Sequence, residues 1–299
     1  MGYSIKRRIY LVIFISLLSF QSGLTQITSS IDSDPINTVL FKITSPTNNH
    51  ISYLFGTHHA FGNIFFDSLT IANQSLAATE LLIKENLNIK GKMAEDVINQ
   101  RTGITQWKKY LSKEDLNYID NLFATSPTDY HKMSPTEMYV FLNRYFKQRV
   151  CLNKKTNDTS LSLDDYIATK AIEQNILLYG LETTEEQIHL INRDVEGMPR
   201  KSHKRRLSNI IEKIKTKNGS DCEETKWYSQ MEINYQLDKP CRNTLVLQDR
   251  NDRWMREISN LLEEKNCFIA VGLSHLMFEC GLINQLTNLG YTVIPMKVK

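Results

Sequence analysis

None of the five cysteines in this chain forms a C-x-x-C pair, which disfavours a thiolate zinc site or thioredoxin-type redox chemistry. Charge of one sign is also scarce. The formal net charge is +3, and Lys6, Arg7 and Arg8 supply all of it, because residues 1–25 contain no acidic residue. Of 36 basic residues those three lie in that segment, so 33 remain beyond it against 33 acidic ones. That balance leaves no general electrostatic case for nucleic acid as a partner. One basic run, Arg200-Lys201-Ser202-His203-Lys204-Arg205-Arg206, reads as a solvated helix start. The longest apolar stretch, from Ile9 to Phe20, is too short to span a bilayer comfortably. No low-complexity linker interrupts residues 26–299, which favours one domain.

Lys6-Arg7-Arg8, the apolar Ile9 to Phe20 and the small, polar Gln21-Ser22-Gly23-Leu24-Thr25 follow the order of a secretory signal peptide. Removal of residues 1–25 and export to the periplasm or the extracellular space are therefore expected, with no stable membrane span afterwards. No cysteine closes the apolar stretch, which argues against a lipoprotein. In an exported protein the cysteines can pair. Cys222 and Cys241 flank a predicted helical hairpin and are the first choice, with Cys151 a competitor for either. Cys267 and Cys280 fall in a predicted strand and the helix after it, and read as core thiols.

What the chain does contain is a tetrad that recurs in the same setting. Ile51-Ser52-Tyr53-Leu54-Phe55 leads into Gly56-Thr57-His58-His59, and Cys267-Phe268-Ile269-Ala270-Val271 leads into Gly272-Leu273-Ser274-His275. Each is a strand-like run, then G-x-x-H, then a helix-compatible stretch, then a second strand (Leu81 to Lys84 and Tyr291 to Pro295). A glycine at a strand's end permits a sharp turn. The histidine beyond it can overhang the carboxyl edge, where open α/β sheets hold ligands. The expected fold is α/β with a central mixed sheet built from two strand-GxxH-helix-strand units. A charged helical insertion over about 184–264 reads as a lid.

Glu85 ends the strand that follows the first tetrad. With His59 and His275 it makes two imidazoles and one carboxylate, a set suited to a divalent transition metal such as Mn, Co or Zn. His58, by alternation, faces away and reads as packing or support. Tyr179-Gly180-Leu181-Glu182 brings a second carboxylate to a strand end. Gln187 lies about a turn further on, unless it joins Thr183 or Thr184 in a capping box. Arg250-Asn251 on a late helix can meet a carboxylate or a substrate carbonyl.

Taken together these motifs resemble the TraB/PrgY/GumN proteins, whose relatives include the Tiki metalloproteases. The resemblance rests on Tyr53 to His59, Ala78 to Glu85, Ser162-Leu163-Asp164, Gly180-Leu181-Glu182-Thr183 with Gln187, Arg250 to Trp254, Val271 to Leu276 and Gly290 to Val293. It implies a fold like that of erythromycin esterase-like and ChaN-like proteins. It also implies metal-dependent peptide hydrolysis with His59, His275 and Glu85 as the transferred residues. Two positions depart from the family pattern: Leu276-Met277-Phe278-Glu279 lacks a glycine often found there, and Thr136 replaces a tryptophan.

The reading is an exported hydrolase acting on a peptide or small amide. His59, Glu85 and His275 would hold the metal, Glu85, Glu182 and Arg250 would be catalytic, and Gln187 and Asn251 would contact substrate. The alternatives are a metal-free, esterase-like hydrolase with a histidine base and a non-catalytic module that binds a peptide or cofactor.

Overall fold

The structure is a computed structural model that describes residues 37–299 apart from 156, 157 and 159. The expected signal segment lies outside the described residues. Six strands form one mixed sheet: β1 (Leu40–Thr44), β2 (Ile51–Thr57), β3 (Leu81–Asn86), β4 (Leu177–Glu182), β5 (Cys267–Gly272) and β6 (Thr292–Met296), in the order β4-β3-β5-β2-β1-β6. Eleven α-helices accompany them among the described residues, none long and apolar enough to cross a membrane. The protein is thus α/β.

Ser45 to His50 turns β1 back on β2 as an antiparallel hairpin, with Leu40 opposite Phe55. From β2 across β5 and β3 to β4 all pairings are parallel. Parallel strands lie between covered faces, and β5 shows it: Cys267, Phe268, Ile269, Ala270 and Val271 are all buried. The two expected units return differently. β3 pairs with β5, whereas β6 lies at the far edge against β1.

Asp67 ends one helix (Asn63–Asp67), and a second (Thr70–Ala77) follows. The break is set by packing, since Leu69 is fully buried between the two. Asp67 accepts a hydrogen bond from Tyr166 and pairs with Lys170.

Two apolar clusters divide the molecule. The larger lines the sheet and takes Trp254, Met255, Ile258 and Leu262 from the helix Asp249–Glu264. The smaller joins residues between β3 and β4, such as Trp107, Met138, Leu142 and Phe146, to Leu207, Ile210, Ile211 and Ile214 between β4 and β5. The cap is therefore fed by both connections, and the segment 184–264 splits between cap and sheet core.

The disulfides differ from the expected pairing. Cys151 bonds Cys222 and Cys241 bonds Cys280, which leaves Cys267 as the buried free thiol. Cys222 finds Cys151 because the two cap connections pack together. Cys280 precedes the helix Leu282–Asn288 and sits in a loop rather than inside that helix, so its thiol can reach Cys241.

Candidate functional site

The four parallel strands bring their carboxyl ends to one edge, and the chemistry gathers there. His59 lies two residues past β2, Glu85 near the end of β3, Glu182 at the end of β4, and His275 in the short 3₁₀ turn Leu273–Leu276 after β5. Register aligns Thr57 of β2 with Gly272 of β5, so the two tetrads sit side by side.

His59 is held by Asp164, which no pattern of titratable residues in the sequence singled out as a site residue. Ser162 N-caps the helix Leu163–Glu173 through the backbone N–H of Asp165, placing Asp164 in the first turn. His59 Nδ1 donates to Asp164 Oδ2 at 2.6 Å, and Thr57 donates to the other carboxylate oxygen. The Asp164 charge, together with its hydrogen bond, raises the His59 pKa to about 9. Asp164 itself is buried, yet His59, Thr57 and Lys84 hold its carboxyl well below the usual range. The His59 side chain remains 56 % exposed, with its Nε2 edge free of Asp164.

His275 lives in the opposite environment. It is 3 % exposed and packs against the Trp254 ring, with centroids 4.4 Å apart. Asn251 Oδ1 lies 2.6 Å from His275 Nδ1 and can only accept, so Nδ1 carries the proton. Arg250 Nη1 donates to Nε2 at 3.0 Å. Burial, with the Arg250 charge, pushes the His275 pKa down to about 3. It is a neutral imidazole with a fixed tautomer.

Arg250 is the hub of this edge. It donates to Glu85 Oε2 at 2.8 Å and makes a paired contact with Glu182, whose side chain is fully buried and also accepts from Arg253 at 2.7 Å. Its guanidinium lies 4.4 Å over Trp254. Glu85 further accepts from Gln187 at 3.1 Å and from the Gly272 N–H at 2.8 Å. Burial works against the Glu85 charge, but the Arg250 guanidinium, with His59, pulls its pKa below the ordinary value. The glycine of the second tetrad serves this approach rather than a turn: a Cβ on Gly272 would lie 3.0 Å from Glu85 Oε1.

A cleft of about 350 Å³ opens over these groups, lined by His59, Glu85, Gln187 and Arg250 and, from the cap, by Thr136, Tyr139 and Arg206. Gln187 is free to face it because the capping box of its helix is Thr183 with Glu186. Two expectations change. Asn251 is 0 % exposed and its amide is spent on His275 and the Cys280 carbonyl, so it positions His275 instead of meeting substrate. Glu182 holds Arg250 and Arg253 and bonds neither histidine. His58 is buried against Phe61 and Tyr228.

As arranged, the three expected ligands do not fit a metal. A cation needs the one lone pair of His275 Nε2, which already accepts from the Arg250 guanidinium, and that same guanidinium sits on Glu85. Among the described residues no group of three or more histidines, cysteines or carboxylates is arranged to hold a metal ion.

The pattern of the TraB/PrgY/gumN family matches residues 39–295. The chain belongs to that family. The match takes in both tetrads, every strand bearing a site residue and the cap, so in this TraB/PrgY/gumN protein the cap is integral to the family domain. No curated protein and no solved structure matches the chain.

Proposed function

We propose that this protein is a hydrolase of peptide or small amide bonds that uses His59 as its base without a metal. The observation that carries this reading is the His59–Asp164 pair: a buried carboxylate orients an imidazole whose other edge faces a cleft. A carboxylate in that position fixes the tautomer and strengthens the base. His59 Nε2 would take a proton from water as the water oxygen bonds to the substrate carbonyl carbon. Arg250 is a charge fixed beside the cleft that can oppose the oxyanion then formed. As the C–N bond breaks, the proton on Nε2 passes to the leaving nitrogen. Glu85, Glu182 and His275 hold Arg250 in place, and Gln187 is a neutral donor on the cleft wall.

The test combines a peptide library with a pH profile. Hydrolysis should survive chelators, rise with pH along a limb governed by His59, and vanish in His59→Ala. Asp164→Asn should move that limb downward toward the ordinary histidine range. A stoichiometric transition metal in the purified protein, lost together with activity, would replace this reading with the metal-dependent one. That chemistry requires Arg250 to withdraw from Glu85 and His275.

A further inference from the structure

The cleft holds a second cation that the proposed reaction does not use. Arg206 is the last residue of the basic run, on the helix Arg200–Lys215, and unlike Arg205 it is half-buried and turned into the cleft. Its guanidinium lies 4.0 Å over the Tyr139 ring, and Nη1 donates to Met198 Sδ at 3.5 Å. Among the described residues it makes no ion pair with a carboxylate. Arg250, by contrast, is fully paired with Glu85 and Glu182. Asp194 also lines the cleft, but its carboxylate accepts from Asn243 at 2.7 Å.

An arginine stacked on an aromatic ring keeps its planar edge free and pre-oriented, and that edge matches a carboxylate with two parallel hydrogen bonds. Leaving such a charge half-desolvated without a partner costs stability, which an incoming anion offsets. Around it the wall is apolar, with Val140, Leu190 and Val195. A volume of about 350 Å³ lies at the lower end of the roughly 300–1,000 Å³ range of small-ligand pockets. A folded chain does not enter such a space, whereas one or two residues do.

We infer that Arg206 is the anion-recognising end of this cleft and that the substrates are short peptides or amides carrying a free carboxylate beside an aliphatic side chain. This rests on the hydrolase reading for the bond cleaved, but not for the recognition. The Thr136 departure is consistent with it, since a small residue on the cap wall leaves room beside Tyr139.

The test is fluorescence anisotropy with dansyl-Ala-Leu as free acid and as carboxamide, and with dansyl-Ala-Glu carboxamide, on wild-type protein, Arg206→Ala and Arg206→Lys. Wild type should bind the free acid at least tenfold more tightly than the carboxamide. Arg206→Ala should abolish that preference, and Arg206→Lys should keep part of it. The glutamate probe separates a terminal carboxylate from one on a side chain. Equal binding of acid and amide by wild type, or a preference that persists in Arg206→Ala with an unchanged circular dichroism spectrum, overturns the inference. Preferential binding of the acid with no turnover of any probe counts against the hydrolase reading alone.

Discussion

Arg250 Nη1 lies 3.0 Å from His275 Nε2 and donates to it, so a permanent cation rests on the one lone pair this imidazole has left. Together with burial, that contact explains why His275 stays neutral while His59, at the same sheet edge, is easily protonated. Two histidines from matching tetrads thus occupy opposite charge states because one meets Asp164 and the other meets Arg250.

His275 should therefore show no titration in nitrogen-detected NMR between pH 5 and 9, with Nδ1 protonated and Nε2 bare throughout. His59 should titrate in the same spectra, with a midpoint near 9. Replacing Arg250 by Gln removes the cation from His275 and should raise its pKa. It should also cost about 3–5 kcal/mol of stability, the range for breaking a buried ion pair by deleting one partner. A His275 that titrates normally in the wild type contradicts the arrangement at its centre.

The His59–Asp164 pair makes a signed prediction for stability. The His59 pKa is raised on folding from about 6.5 to about 9. Its contribution is then full below pH 6.5 and fades as pH rises through 9. More than half of the imidazole faces solvent, so screening tempers the effect. Urea midpoints of wild type and Asp164→Asn should differ most near pH 6 and converge by pH 10. A gap that widens with pH would mean that Asp164 stabilises the fold through Thr57 and Lys84 instead.

The Cys151–Cys222 bond ties the two connections that build the cap and spans 71 residues. A loop of that length implies about 4 kcal/mol from restricting the unfolded chain. The double variant Cys151→Ser, Cys222→Ser should lose that much in denaturant titration. Protection in hydrogen exchange should fall first around Met138 to Phe146 and Leu207 to Ile214, while β5 keeps its protection. Uniform loss across both clusters would show that cap and sheet unfold as one unit.

Strand positions and the shared edge were legible because period, apolar runs and glycines act locally, and β2, β3, β4 and β5 lie within a residue or two of where sequence put them. The cap was half legible. Its helices read as helices, but nothing in a linear pattern says that Trp107 and Ile211 share a core. The disulfides were half legible for the same reason: Cys151 was only a competitor for Cys222 and the Cys241–Cys280 bond went unseen, since pairing depends on how distant connections pack. Within the site, residue type flagged His59, Glu85 and His275, yet not who bonds whom. Asp164 stood out only as part of Ser162-Leu163-Asp164; it lies in the first turn of its helix, and only the closeness of β2 to that helix turns it toward His59. Asn251 looked polar and available, and packing buried it.

The last prediction concerns Gly272, whose role appears only in three dimensions. Its N–H donates to Glu85 Oε1, and an added Cβ would lie 3.0 Å from that same oxygen. Gly272→Ala keeps the backbone donor but crowds the acceptor. Glu85 cannot shift far without losing Arg250 or Gln187, because both hold its other oxygen. The substitution should therefore cost about 1–3 kcal/mol, as overpacking of a tight interior does. It should also lower hydrolysis more than stability predicts, by letting Arg250 move off its position over Trp254. Gly103→Ala is the control, since a Cβ there meets nothing within 4 Å and should change neither quantity. If Gly272→Ala leaves Glu85 in place and activity intact, the close approach is incidental, and the glycine of the second tetrad must be explained by chain geometry alone.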